Sequence, residues 1–152
     1  VPSTYPLAQQ ESISTQQLKN ETMLLLGAGH CFRDHVLEVC PEFARYASNA
    51  KGIRRSFEGS SLETIKHMVA AGMGVTLVPR LSVANDALQS PRRRRSDEPY
   101  IRYLPIVEPD GSAPPKRRVS LVWRRSFTRY EAIAALRNAI HACKLLGVER
   151  LN

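Results

Sequence analysis

Residues 60–79, SSLETIKHMVAAGMGVTLVP, constrain the fold more than any other stretch. Ser60 and Glu63 have capping-box spacing, and Leu62, Ile65, Met68 and Val69 form an apolar stripe at helical spacing. Gly72 is a natural helix stop, and VTLVP at 75–79 then reads as a short buried strand closed by Pro79. Upstream, Met23, Leu24, Leu25 and Leu26 form a second continuous apolar run, ending at Gly27, as in a strand covered on both faces. A helical stretch at 31–40 and a short strand at 53–57 lie between. Strand, helix, strand, helix, strand is the order of an α/β chain with a parallel-dominated sheet flanked by helices and joined by right-handed crossovers.

The flanking segments are less regular. Residues 1–10 read as an extended entry, because Pro2 and Pro6 oppose a helix, and residues 14–19 as a helical turn. Residues 101–106, IRYLPI, suit an edge strand, because Pro105 cannot donate to a ladder. PDGSAPPK at 109–116 is a turn or hinge, RVSLVWR at 118–124 a further strand, and the rest a long helix. Thr128 and Glu131 have capping-box spacing for that helix, and Ile133, Leu136, Ile140, Cys143 and Leu146 share a face, so Cys143 is expected to pack as a small apolar side chain.

A chain of 152 residues is long enough for one ordinary domain with a core, and its hydrophobic fraction of 43% suits a globular protein. No apolar run approaches the roughly 20 residues of a membrane helix, and the start lacks the pattern of a secretory signal. It also lacks an initiator Met, as a fragment would. Three cysteines suit a reducing, cytoplasmic setting better than a disulfide framework. The formal charge of +8 permits an acidic partner or nucleic acid, but four of the positive charges are the run Arg92, Arg93, Arg94 and Arg95. Pro91 and Pro99 bracket this run, and it reads as a solvated loop or as a phosphate-contacting patch. No zinc-finger spacing, aromatic RNA-binding signature or clear helix-turn-helix accompanies it.

Two of the cysteines stand nine residues apart in GHCFRDHVLEVC, residues 29–40. On one continuous helix they are about 13.5 Å apart along the axis and on nearly opposite faces, whereas a disulfide requires α-carbons within about 7 Å. If a bond forms, the segment must unwind, so the spacing defines a two-state element. Cys31 follows a glycine-containing turn near a helix start, with Arg33 and His30 beside it, and these neighbours favour its thiolate. Asp34 opposes that effect unless it pairs with Arg33. Cys40, between Val39 and Pro41, is expected to be protonated and partly buried. Two blander readings stand beside the switch: unrelated core cysteines, or a zinc site using His30, Cys31, His35 and Cys40, although this spacing matches no familiar ligand ladder.

The Gly-His-Cys-x-Arg-Asp block with a second Cys nine residues after the first resembles the regulatory domain of the OxyR family, the peroxide-sensing branch of the LysR-type transcriptional regulators. The SLET block, YLPI at 103–106 and RRVSLVWR at 117–124 extend the resemblance over essentially the whole chain. It implies two periplasmic-binding-protein-like α/β lobes. Residues 1–110 would form the second lobe with the redox segment, and 111–152 the hinge return, a strand and the C-terminal helix of an incomplete first lobe. The family's winged helix-turn-helix and the threonines that position peroxide would lie outside this chain, and the apolar stripe of the terminal helix would be partly uncovered.

The resemblance further implies that Cys31 is the peroxide-reactive thiol and Cys40 the resolving thiol. His30, Arg33 and Asp34 would shape the reactive pocket, and Arg117, or its neighbour Arg118, would reach it from the returning stretch. The expected function is non-enzymatic: control of antioxidant genes through a reversible disulfide. The implied partners are hydrogen peroxide, a homodimer or homotetramer, promoter DNA, RNA polymerase and a glutaredoxin-type reductant, with no cofactor, metal or membrane. A thiol peroxidase and a LysR effector domain for a small metabolite are the alternatives.

Overall fold

Met23, Leu24, Leu25 and Leu26 form strand β1 (Met23–Leu26), and all four side chains are buried. The structure is a computed structural model that describes residues 1–44, 56–83 and 100–151. The arginine run at 92–95 and residues 53–55 of the expected strand at 53–57 lie outside the described residues. The chain divides into two units, Val1–Pro115 and Lys116–Asn152.

In the first unit α1 (Thr15–Leu18) precedes β1, and α2 (Cys31–Val39) follows it. Next come β2 (Ser56–Gly59) and α3 (Leu62–Ala70). β1 and β2 pair in parallel, with Met23 opposite Ser56 and Leu26 opposite Gly59. On the other side of β1, Val75 makes a single parallel bridge: the Leu24 amide donates to the Val75 carbonyl and the Val75 amide to the Thr22 carbonyl, each at 2.8 Å. The strand expected over 75–79 therefore contributes one bridge. The Thr76 hydroxyl donates to the Leu24 carbonyl at 2.8 Å, where a continued parallel ladder would direct the Leu77 amide. Residues 101–106 likewise pair only at their ends, where Ile101 bridges Pro2 and Ile106 bridges Ile13.

Alternation along β1 divides the core. Met23 and Leu25 join Ile13, Leu18, Val36, Cys40, Phe43 and Val75, whereas Leu24 and Leu26 join Ile65 and Val69 of α3. Successive strand side chains point to opposite faces, so four apolar residues in a row mean a sheet covered on both sides. Phe32 packs against both clusters. The helix at 62–70 starts one residue later than the Ser60–Glu63 spacing suggests: Ser61 is the N-cap, and its hydroxyl accepts from the Thr64 amide at 3.1 Å. Gly72, at φ 78°, follows the end of α3.

In the second unit the long helix forms as α4 (Tyr130–Ala142). Its N-cap is Arg129, without a side-chain cap, so the Thr128–Glu131 spacing is not used. The helix stops before Cys143, which is exposed rather than packed, and Leu146 lies beyond it. Leu136 and Ile140 are 47% and 44% exposed, so the expected apolar stripe is uncovered. No strand forms at 118–124, where Val119, Val122 and Trp123 are exposed. A strand exists only through a hydrogen-bonded neighbour, and among the described residues of this unit there is no other strand to pair with.

Candidate redox site on helix α2

The chain enters α2 through Gly29, at φ 94°, where a β-carbon would meet no atom within 4 Å, so backbone conformation rather than space favours glycine there. His30 is the N-cap, exposed and without a side-chain capping bond. Cys31 is the first helical residue, exposed, with a free thiol. It therefore sits in the first turn, where amide N–H groups lack helical partners. Asp34, in the same turn, is exposed.

Arg33 turns away from Asp34. Its Nη1 donates to the Leu26 carbonyl at 2.9 Å and to Glu58 Oε1 at 2.7 Å. The carboxylate that orients it is thus Glu58, on β2, rather than its chain neighbour. Sequence reasoning missed Glu58, because nothing local links residues 33 and 58; only the parallel pairing of β1 with β2 brings them together.

Cys40 is the C-cap of α2, fully buried, and its amide donates to the Val36 carbonyl at 2.9 Å. It is more enclosed than expected, because Pro41 and Phe43 turn the chain back into the cluster built on Met23 and Leu25. Burial pushes its thiol up to about 12, reinforced by the negative charges of Glu42 and Glu108 and opposed by Lys19. All three charged neighbours went unnoticed in the sequence. Cys31 and Cys40 are free thiols separated by an intact helix, nine residues or about 13.5 Å of axial rise. Arg117 belongs to the second unit and is exposed there. Among the described residues, no three His, Cys, Asp or Glu side chains are grouped to hold a metal ion.

Residues 1–143 match the LysR substrate binding domain family. The chain belongs to the LysR substrate binding domain family. Its relatives include an OxyR regulator. It is 35% identical over 133 residues to the "DNA-binding transcriptional dual regulator OxyR" of Escherichia coli, covering 86% of this chain and 37% of that protein. It therefore spans little more than a third of the length of that curated relative. Among solved structures it is similar to the reduced form of OxyR from N. meningitidis, with TM-score 0.73 and 30% identity over 100% of this chain and 61% of the other. The reduced OxyR regulatory domain of Pseudomonas aeruginosa gives TM-score 0.66 and 38% identity, covering 94% and 59%. The resemblance carried by the cysteine block and the α/β class with parallel pairing both hold for this LysR domain, although its sheet is only partly present.

Proposed function

We propose that the chain is the peroxide-responsive regulatory domain of a transcriptional regulator, working through a reversible disulfide between Cys31 and Cys40. The observation that carries this reading is the contrast between the two thiols. Cys31 is exposed at the first turn of α2, and Cys40 is buried at the other end with the whole helix between them.

The chemistry balances with peroxide as the oxidant. The Cys31 thiolate attacks one peroxide oxygen; the O–O bond breaks, leaving a sulfenic acid and a hydroxide that takes up a proton to become water. The Cys40 sulfur then attacks the Cys31 sulfur, forming the S–S bond as the S–O bond breaks; the departing hydroxyl takes the Cys40 thiol proton and leaves as a second water. The second step requires α2 to unwind, which converts a chemical event into a change of shape. Thiol–disulfide exchange with a glutaredoxin-type reductant restores both thiols. His30, Arg33 and Asp34 shape the surroundings of Cys31. Residues 1–110 serve as the second lobe, and 111–152 return to the first.

In the full-length protein this shape change alters packing within a homodimer or homotetramer and shifts an N-terminal winged helix-turn-helix on promoter DNA, in contact with RNA polymerase, in the cytoplasm. The regulator name of the Escherichia coli relative supports this reading over an enzyme. The test is peptide mass spectrometry of the full-length protein after a peroxide pulse, alongside Cys31→Ser and Cys40→Ser. The expected result is a linkage between Cys31 and Cys40 in the unaltered protein only, with about one equivalent of peroxide consumed per linkage. Absence of the linkage refutes the mechanism. Sustained turnover of many equivalents with a thiol reductant would make it a peroxidase instead.

A further inference from the structure

Arg33 joins the first turn of α2 to the ends of both strands. Its Nη1 reaches the carbonyl of Leu26, the last residue of β1, and the carboxylate of Glu58, which faces Leu25 in the parallel ladder. The arginine side chain is 12% exposed and the glutamate 52%, so the pair sits at a rim, partly shielded on the arginine side. A charge-assisted bond in such a place is stronger than a freely solvated surface pair.

Arg33 also lies within the stretch between the two cysteines. The sulfurs cannot meet while residues 31–39 remain helical, and unwinding that runs back to the first turn displaces the segment that carries Arg33. The guanidinium then leaves both of its acceptors. We infer that Glu58 is a positioning residue which, through Arg33, holds α2 in its dithiol form and so sets how readily the disulfide forms. This inference rests on the redox reading above and adds to it a residue on a different strand from the cysteine segment.

The sign follows from the couple. Reduction by a thiol turns the S–S bond into two cysteine thiols while two reductant thiols become one disulfide. Glu58 stabilises only the product of that reduction. Removing its charge makes the protein disulfide harder to reduce, and the potential moves to a more negative value. A pair of this kind contributes about threefold to tenfold to the equilibrium. For a two-electron couple that corresponds to a shift of about 15 to 30 mV.

The test equilibrates the full-length protein and its Glu58→Gln and Glu58→Asp variants with glutathione buffers, then counts thiols by alkylation and mass. Glu58→Gln is expected to show the more negative potential, with Glu58→Asp in between, because it keeps the charge on a shorter arm. Raising salt from about 0.05 to about 0.5 M is expected to draw the unaltered protein toward the glutamine variant, since the pair is screened at its exposed side. A loss of packing alone would leave that gap unchanged. Equal potentials, a shift of opposite sign, or a gap that survives high salt overturns the assignment. Should Glu58→Gln fail to fold, the salt series on the unaltered protein and on Glu58→Asp decides, and a salt-independent potential in the unaltered protein overturns the inference. If the unaltered protein forms no bond between Cys31 and Cys40 at any buffer ratio, the redox reading itself has failed and this inference falls with it.

Discussion

Cys31 and Cys40 are the same chemical group in opposite surroundings. The first stands in water at the start of α2; the second is enclosed by Val36, Phe43, Met23 and Leu25, with two carboxylates near enough to oppose its ionisation. Iodoacetamide at pH 8 should therefore label Cys31 and Cys143 while sparing Cys40 until urea is added, as read by mass spectrometry of the peptides. The same burial makes stability depend on pH in a defined window. The folded thiol, at about 12, keeps its proton where the unfolded thiol, near 9, has lost it. The native state thus binds one more proton between those values, and stability is lost as pH rises through them, by about 1.4 kcal/mol per unit. Cys40→Ala should flatten the alkaline limb of a plot of unfolding free energy against pH by one proton. At this scale the residue types were legible, because Gly-His-Cys-x-Arg-Asp is a local pattern. Their partners were not: Glu58, Glu42, Glu108 and Lys19 reach their places through the fold.

At the scale of elements, the chain packs closely at two glycines, one where the Val75 segment meets β1 and one where β2 meets α3. A β-carbon on Gly74 would lie 2.3 Å from the Thr22 carbonyl oxygen, the acceptor of the Val75 amide. One on Gly59 would lie 2.7 Å from a side-chain carbon of Ile65. Gly74→Ala should cost more than Gly59→Ala, because a backbone carbonyl cannot step aside as a side chain can, and Gly74 also holds φ 155°. Urea unfolding should show a loss of about 2–3 kcal/mol for Gly74→Ala. Helices α2, α3 and α4 and strand β1 were legible in sequence, since helical stripes and short apolar runs are local signals. The extended segments at 75–79, 101–106 and 118–124 were over-read, because apolar alternation shows that a segment suits a sheet, not that a neighbour offers it hydrogen bonds. At 75–79 one threonine hydroxyl takes the place of the next ladder bond.

For the whole chain, the two units differ in how they treat apolar residues. The first unit closes a core on both faces of β1, whereas in the second Val122, Trp123, Leu136 and Ile140 remain in contact with water. The 152-residue chain should accordingly raise the fluorescence of an apolar dye, and Leu136→Lys with Ile140→Lys should lower that signal at a cost of about 0.5 kcal/mol or less in stability. Charge composition said little at this scale, since the run of four arginines at 92–95, out of 22 Lys and Arg residues, lies outside the described residues.

The seat of Cys40 has one more consequence. Under the proposed mechanism its sulfur has to withdraw from the close-packed cluster beside Met23, Leu25 and Phe43 in order to meet Cys31. If that bond forms, the oxidised domain is expected to melt at a lower temperature than the reduced one and to be easier for a protease to open.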